Sequence, residues 1–154
     1  MKKMKRAILT AFVLVGLTLT SCGSDDNGGG AEASIVGKWN PLKTETKVGN
    51  SPAQVENYDG HEPGCDKDYF EFVQSGSLRE VVYFKNVSDV CTEDEAQPSS
   101  WVKNDNTLTI NDGQYDGVYQ IKRLTSSDLQ LSTEVSFPGG TTTTLTLFFK
   151  KAAN

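Results

Sequence analysis

The sequence predicts an all-β domain, an antiparallel up-and-down β-barrel of about eight strands. Short runs rich in Val, Ile, Thr, Tyr and Phe recur along residues 34–151, separated at near-regular spacing by clusters of Gly, Asn, Asp and Ser. That is the pattern of strands joined by turns. No apolar stripe of helical period and useful length interrupts it. The last run alternates cleanly, with Leu145, Leu147 and Phe149 on one face and Thr144, Thr146 and Phe148 on the other. Such strands suit an antiparallel sandwich or a barrel. Tight turns between most of them favour a meander, and closing a meander removes two long exposed edges.

Taken in order, residues 35–48 open the fold. Residues 69–74 and 78–87 form a hairpin about Ser75-Gly76-Ser77. Residues 100–103 and 107–110 meet at Asn104-Asp105-Asn106, and residues 115–124 and 128–136 at Thr125-Ser126-Ser127. The strand over 141–150 follows Pro138-Gly139-Gly140. Each junction uses residues that tolerate turn conformations at low cost. The register stays open: a one-residue slip exchanges Tyr83 and Phe84 between faces.

The chain ahead of this domain has a different character. Residues 1–21 read as a signal peptide, with Lys2, Lys3, Lys5 and Arg6 preceding the apolar run Ala7 to Leu19. That run is too short to span a bilayer comfortably as a helix. It closes in Leu19-Thr20-Ser21-Cys22-Gly23, which resembles the lipobox of bacterial lipoproteins. The resemblance implies cleavage before Cys22, diacylglycerol on its thiol and a further acyl chain, such as palmitate, on its new amine. With roughly 0.8 kcal/mol per buried methylene, several chains hold a protein firmly at a membrane. Residues 22–33 are rich in Gly and acids and read as a flexible tether. Within it, Ser24-Asp25-Asp26 resembles the surface-export signal of Bacteroidetes lipoproteins, which implies an outer-membrane protein exposed at the cell surface. The periplasmic face is the alternative.

Charge and cysteines narrow the partners. Removing the four leader cations lowers Lys+Arg from 15 to 11 against 20 Asp+Glu, a formal charge of −9. Such a surface repels phosphate backbones, so nucleic acid is not an expected partner, and membrane contact falls to the anchor. With Cys22 lipidated, Cys65 and Cys91 remain. An even pair in an oxidising compartment predicts a disulfide, contributing about 3–4 kcal/mol by loop closure. The bridge would sit at the open end of the first hairpin and staple the connections 49–67 and 88–99. A metal site would need more ligands than His61 and Asp66 provide, and their spacing matches no zinc motif.

The segment Val36-Gly37-Lys38-Trp39 resembles the Gly-x-Trp opening of a lipocalin. Cys65-Asp66-Lys67-Asp68-Tyr69-Phe70, the turn at Gly76, Cys91, and the Thr-rich last strand ending in Lys150-Lys151 resemble the lipocalin-like domains of small Bacteroidetes lipoproteins. The resemblance covers residues 34–151 of a domain spanning 34–154. It implies an eight-stranded barrel with a Trp closing one end, a mouth at the other, and a lid-like loop over 49–67. Lipocalins usually set a late Arg over that Trp, a place only Lys150 or Lys151 fills here, and the helix that often follows the barrel is absent.

The candidate cavity-lining residues are Trp39, Phe70, Phe72, Trp101, Tyr119, Leu131 and Leu147, with Leu129 beside them. In a barrel of this size such side chains either enclose one small ligand or fill the interior. His61 between Asp59 and Glu62 has the makings of a base or weak ligand, but Gly60 and Pro63 mark an exposed loop. Asp105, Asn106, Asn111, Asp112 and Asp116 lack the order of a calcium loop and read as turn residues. No nucleophile elbow, phosphate loop or zinc motif is present. The expected protein is therefore not an enzyme and needs no cofactor. It is a lipid-anchored module that binds or carries a small apolar ligand, or an accessory lipoprotein whose filled barrel contacts another envelope protein.

Overall fold

A computed structural model describes residues 33–136 and 140–153. The expected signal peptide, Cys22 and the expected tether over 22–32 lie outside the described residues, as do positions 137–139. The described chain is a 10-stranded antiparallel sheet. Its strands are β1 (Gly37–Val48), β2 (Gln54–Asn57), β3 (Tyr69–Phe72), β4 (Ser77–Lys85), β5 (Cys91–Glu95), β6 (Ser99–Asn104), β7 (Thr107–Asn111), β8 (Gly117–Leu124), β9 (Asp128–Ser136) and β10 (Thr142–Lys151).

Ten strands make eight staves. β2 and β3 lie along the same edge of β1: Gln54–Asn57 pair with its outer half, and Phe70 and Phe72 with Trp39 and Gly37. They are one stave interrupted by residues 58–68. β5 and β6 share one edge of β4 in the same way, with a break over residues 96–98. Pro98 sits in that break, where a missing N–H costs no ladder bond. β10 pairs with β1 from Trp39↔Lys151 to Val48↔Thr143, which closes the barrel.

The predicted strands appear within a few residues of their expected ends, and β2 and β5 are additions. Gln54-Val55-Glu56-Asn57 is exposed throughout, and Cys91-Thr92-Glu93-Asp94-Glu95 nearly so. Neither buries a face, so neither shows apolar alternation. Backbone pairing makes them strands, and β5 adds side-chain bonds from Arg79 to Glu95 and from Tyr83 to Glu93.

Cross-strand partners share a face, so the register states which side chains point inward. Trp39, Phe70, Phe72, Leu78, Leu108, Ile110, Tyr119, Leu129, Leu131, Leu147 and Phe149 do, and all are buried in one cluster. Bulges at Pro41/Lys43 and Ile121/Arg123 reset the phase of β1 and β8. Beyond its bulge β1 turns Thr44 and Thr46 inward and leaves Lys43 and Glu45 outside as an ion pair. The hairpin register places Phe84 on the face of Leu78 and Glu80, and Tyr83 on the outer face.

Candidate functional site

The two ends of the barrel are built differently, and the difference locates the site. At one end Trp39 is 0% exposed and donates its indole N–H to the Ile35 carbonyl at 2.6 Å. Lys151 pairs with it across β1 and β10, and its Nζ lies 4.3 Å from the ring centroid. The same amine donates to the Val36 carbonyl at 2.7 Å. Gly37 makes this possible: its φ is +117°, and a Cβ there would come within 2.7 Å of the Lys151 Nζ. The Gly-x-Trp opening thus makes room for the amine and supplies the ring beneath it. Burial holds the Lys151 amine below its ordinary pKa. Lys150 points outward to Asp128.

Above this floor the interior is packed. Phe72 meets Trp101 edge-on at 5.5 Å, and Phe70 meets Phe149 at 5.4 Å. Leu131 and Leu147 are direct cross-strand partners. Tyr119 donates its hydroxyl to the Tyr115 carbonyl at 3.0 Å. Trp101 donates its indole N–H to the Val73 and Ser77 carbonyls, tying β6 to the β3–β4 turn. Trp39, Phe72, Tyr119, Leu131 and Leu147 therefore fill the barrel with Leu129. Trp101 also borders a cleft of about 350 Å³ beside residues 33–36 at the closed end. Phe70 lines an opening at the other end.

That opening is the mouth. Successive inward rows across β1, β10 and β9 run Thr44–Leu147–Leu131, Thr46–Leu145–Thr133 and Val48–Thr143–Val135. Val48 and Val135, in the outermost row, are 47% and 49% exposed. Across the mouth, Phe70, Leu78, Glu80, Gln97, Ser99 and Tyr115 line a pocket of about 230 Å³. It opens where β5 breaks from β6, and residues 113–115 of the β7–β8 loop close its far side. Phe70 and Tyr115 meet edge to face there at 5.0 Å.

Glu80 is the charged group of this pocket. It pairs with Phe70 across β3 and β4, so its side chain points inward. Its carboxylate makes no hydrogen bond or ion pair with any described residue, and burial raises its pKa above the ordinary carboxylate range. Tyr115 is raised by burial and then by the Glu80 charge. Tyr58 is raised by burial first and by its hydrogen bond to Asp68 second, with smaller contributions from Tyr115 and Glu80.

The segment 58–68 bridges the gap between β2 and β3 and is braced against β1 and β4. Asp68 is 2% exposed, and its carboxylate accepts from the Tyr83 N–H and the Tyr58 hydroxyl, both at 2.7 Å. It thus extends the β3–β4 ladder by one side-chain bond where the backbone has turned away. Asn40 donates to the Asp68 carbonyl at 2.8 Å. His61 accepts the Asp68 N–H on Nδ1 at 3.1 Å and stacks edge-on against Tyr58. An Nδ1 so occupied is not offered to a metal or a substrate, and the 3.4 Å approach of the Asp68 carboxylate to it is a contact, not a second bond. A disulfide joins Cys65 to Cys91, with Cα atoms 5.6 Å apart, and fastens the segment to the start of β5. Asp105 and Asp112 adopt positive φ, at 51° and 67°, as turn residues do.

Two residues escape a reading of the sequence alone. Glu80 has a signal, because it falls in phase with Leu78 on a strand whose apolar face is buried. Asp68 has none, since its partners come from β4 and from a segment without regular structure.

Residues 35–131 match the family model described as a lipocalin-like domain. No curated protein matches the chain. Among solved structures, bovine odorant-binding protein in complex with its natural ligand is 19% identical, covering 82% of this chain and 79% of that one, with a TM-score of 0.41. Its complex with undecanal is 20% identical over the same shares, also at 0.41. A dog lipocalin allergen is 20% identical, covering 79% and 76%, at 0.37.

Proposed function

The chain belongs to the lipocalin-like domain family, and from that premise we propose that it is a lipid-anchored, non-catalytic binding module that takes a small, largely apolar ligand at the barrel mouth. One observation carries this reading: the barrel is one-ended. Its floor is sealed by Trp39 and Lys151, while Phe70, Leu78 and Tyr115 present apolar and aromatic surface to an open pocket of about 230 Å³. That volume is below the roughly 300–1,000 Å³ of drug-sized sites, so the ligand is compact. The basic start, the apolar run and the Cys22 lipobox support anchoring, and Ser24-Asp25-Asp26 supports the outer face of the outer membrane.

Native mass spectrometry of the full chain, extracted from membranes in detergent, tests binding. A small adduct retained under gentle conditions, lost on denaturation and weakened by Phe70→Ser supports the module. A bare mass, together with no uptake of small aromatic compounds, overturns it. Anchoring is read separately by incorporation of labelled palmitate, which Cys22→Ala should abolish, and by protease accessibility on intact cells.

The rim supports a second reading. Val55, Phe84, Val87 and Val90, on β2 and the β4–β5 hairpin, are 56%, 42%, 107% and 56% exposed. An accessory lipoprotein that contacts an envelope protein would use such residues. Crosslinking from Val87 to a defined partner in cells, with no ligand in the pocket, would favour that role.

A further inference from the structure

Glu80 does not fit a purely apolar pocket. A carboxylate turned into a barrel and partly removed from water costs free energy unless something compensates it. Nothing in the described chain does. The titratable groups around it are Tyr115 from the β7–β8 loop, Tyr58 with its partner Asp68 from segment 58–68, and Asp94, which lies on the inner face of β5 opposite Val82. All are acids or phenols. The cations of β4 are engaged elsewhere: Arg79, the next residue, points outward to Glu71 and Glu95, and Lys85, further along the outer face, pairs with Asp89.

Resting on the binding-module reading, we propose that the mouth pocket recognises a small primary amine with an apolar or aromatic body, its ammonium bound to the Glu80 carboxylate and its body laid on Phe70 and Leu78. The surroundings suit that chemistry. An ammonium supplies the missing counter-charge and three N–H donors. The Phe70 and Tyr115 rings offer negative faces to a cation at the same place. Gln97 and Ser99 line the same pocket and offer oxygens to the donors that Glu80 leaves over. The volume of about 230 Å³ suits a single ring with a short aminoalkyl arm. An organic anion would meet Glu80, Asp94 and two phenols, so the pocket selects by charge as well as size.

The test is calorimetric titration of the full chain, held in nanodiscs, with phenethylamine and its neutral counterpart 2-phenylethanol at pH 7. Empty nanodiscs provide the blank. The amine should bind about tenfold more tightly than the alcohol or better. Glu80→Gln keeps the side-chain shape and should reduce amine affinity to that of the alcohol, with the near-ultraviolet signal of Trp39 and Trp101 read alongside as the check on folding. Equal binding of amine and alcohol by the native chain, or an amine affinity that Glu80→Gln leaves unchanged, overturns the inference while the apolar module stands. Binding of neither compound, with no adduct in the native mass spectrum, overturns the module itself. A second variant, Tyr115→Leu, guards against a Glu80→Gln effect on folding: it keeps the carboxylate and removes one ring, so it should weaken the amine more than the alcohol.

Discussion

The same strands run from the floor of this barrel to its mouth, yet their inward residues change along the way. At the floor the inward positions are Trp39, Phe72, Leu108 and Leu129, all almost fully buried, and a lysine from the last strand seals them. At the mouth they are Thr46, Val48, Thr133, Val135 and Glu80, half-buried or exposed. The alternation continues while its chemistry is relaxed. Each large apolar side chain fully buried at the floor contributes roughly 1.5–3 kcal/mol, whereas an exposed Val contributes little. Stability is thus concentrated at one end, and the other is free to carry a charge that folding does not require.

The largest expected effect breaks that comparison directly. Trp39→Ala leaves a cavity under the Lys151 amine and should cost about 3–5 kcal/mol in urea unfolding. Val135→Ala, equally inward but at the mouth, should cost under about 0.5 kcal/mol. Similar costs for the two would mean that the mouth is packed as the floor is.

The disulfide is the next test. Cys65 and Cys91 are separated by 26 residues, and closing such a loop is worth about 3.5 kcal/mol in the chain-entropy picture. The doubly substituted Cys65→Ser/Cys91→Ser chain should lose about that much or somewhat less. Because the bridge fastens segment 58–68 to β5, hydrogen exchange should accelerate first at Tyr83, whose N–H is held by Asp68, and last at Trp39 and Leu129. Uniform acceleration across both ends would show one cooperative unit, with no difference in local stability between floor and mouth.

How much of this was legible in the sequence follows the same division. Strands that bury a face announced themselves: β10 by Leu145, Leu147 and Phe149, and the first hairpin by Tyr69–Phe72 and Leu78. The Cys65–Cys91 pairing was expected from the even count that remains once Cys22 is set aside. β2 and β5 were hidden because a strand with both faces wet has no reason to alternate. Whether the seven candidate residues line or fill the barrel depended on register and closure, which periodicity does not contain. The choice between Lys150 and Lys151 was likewise a matter of phase, settled by the pairing of Trp39 with Lys151. Asp68 was illegible for a different reason, since a carboxylate that replaces a ladder carbonyl matters only once the chain has brought Tyr83 to it.

Lys151→Met isolates the seal. It keeps most of the side-chain bulk and removes both the charge over Trp39 and the hydrogen bond to Val36, so a loss of about 0.5–2 kcal/mol is expected in chemical unfolding. Gly37→Ala should also destabilise, because the added Cβ strains the backbone and displaces the amine. In a Lys151→Met background the displacement part should vanish and only the backbone strain remain. Additive losses in the double variant would mean that Gly37 serves its own turn and not the lysine.

The smallest effect is in pH, and there the two ends have opposite signs. Lys151 has a folded pKa lowered by burial, so between that value and its unfolded pKa the unfolded chain holds more protons, and stability rises as pH climbs through that interval. At the mouth, Tyr83 on β4 is pushed up from 10.0 to about 12, first by its hydrogen bond to Glu93 and then by burial. Its contribution is complete below pH 10 and is lost as pH rises through about 12. Tyr58 and Tyr115 are shifted in the same direction. The difference in melting temperature between the native chain and Tyr83→Phe should be flat near neutrality and shrink from pH 10 upward, while the difference from Lys151→Met should widen as pH climbs towards 10.5. If both differences move together, the charges at floor and mouth do not act independently, and the carboxylate at Glu80 cannot be treated apart from the packing beneath it.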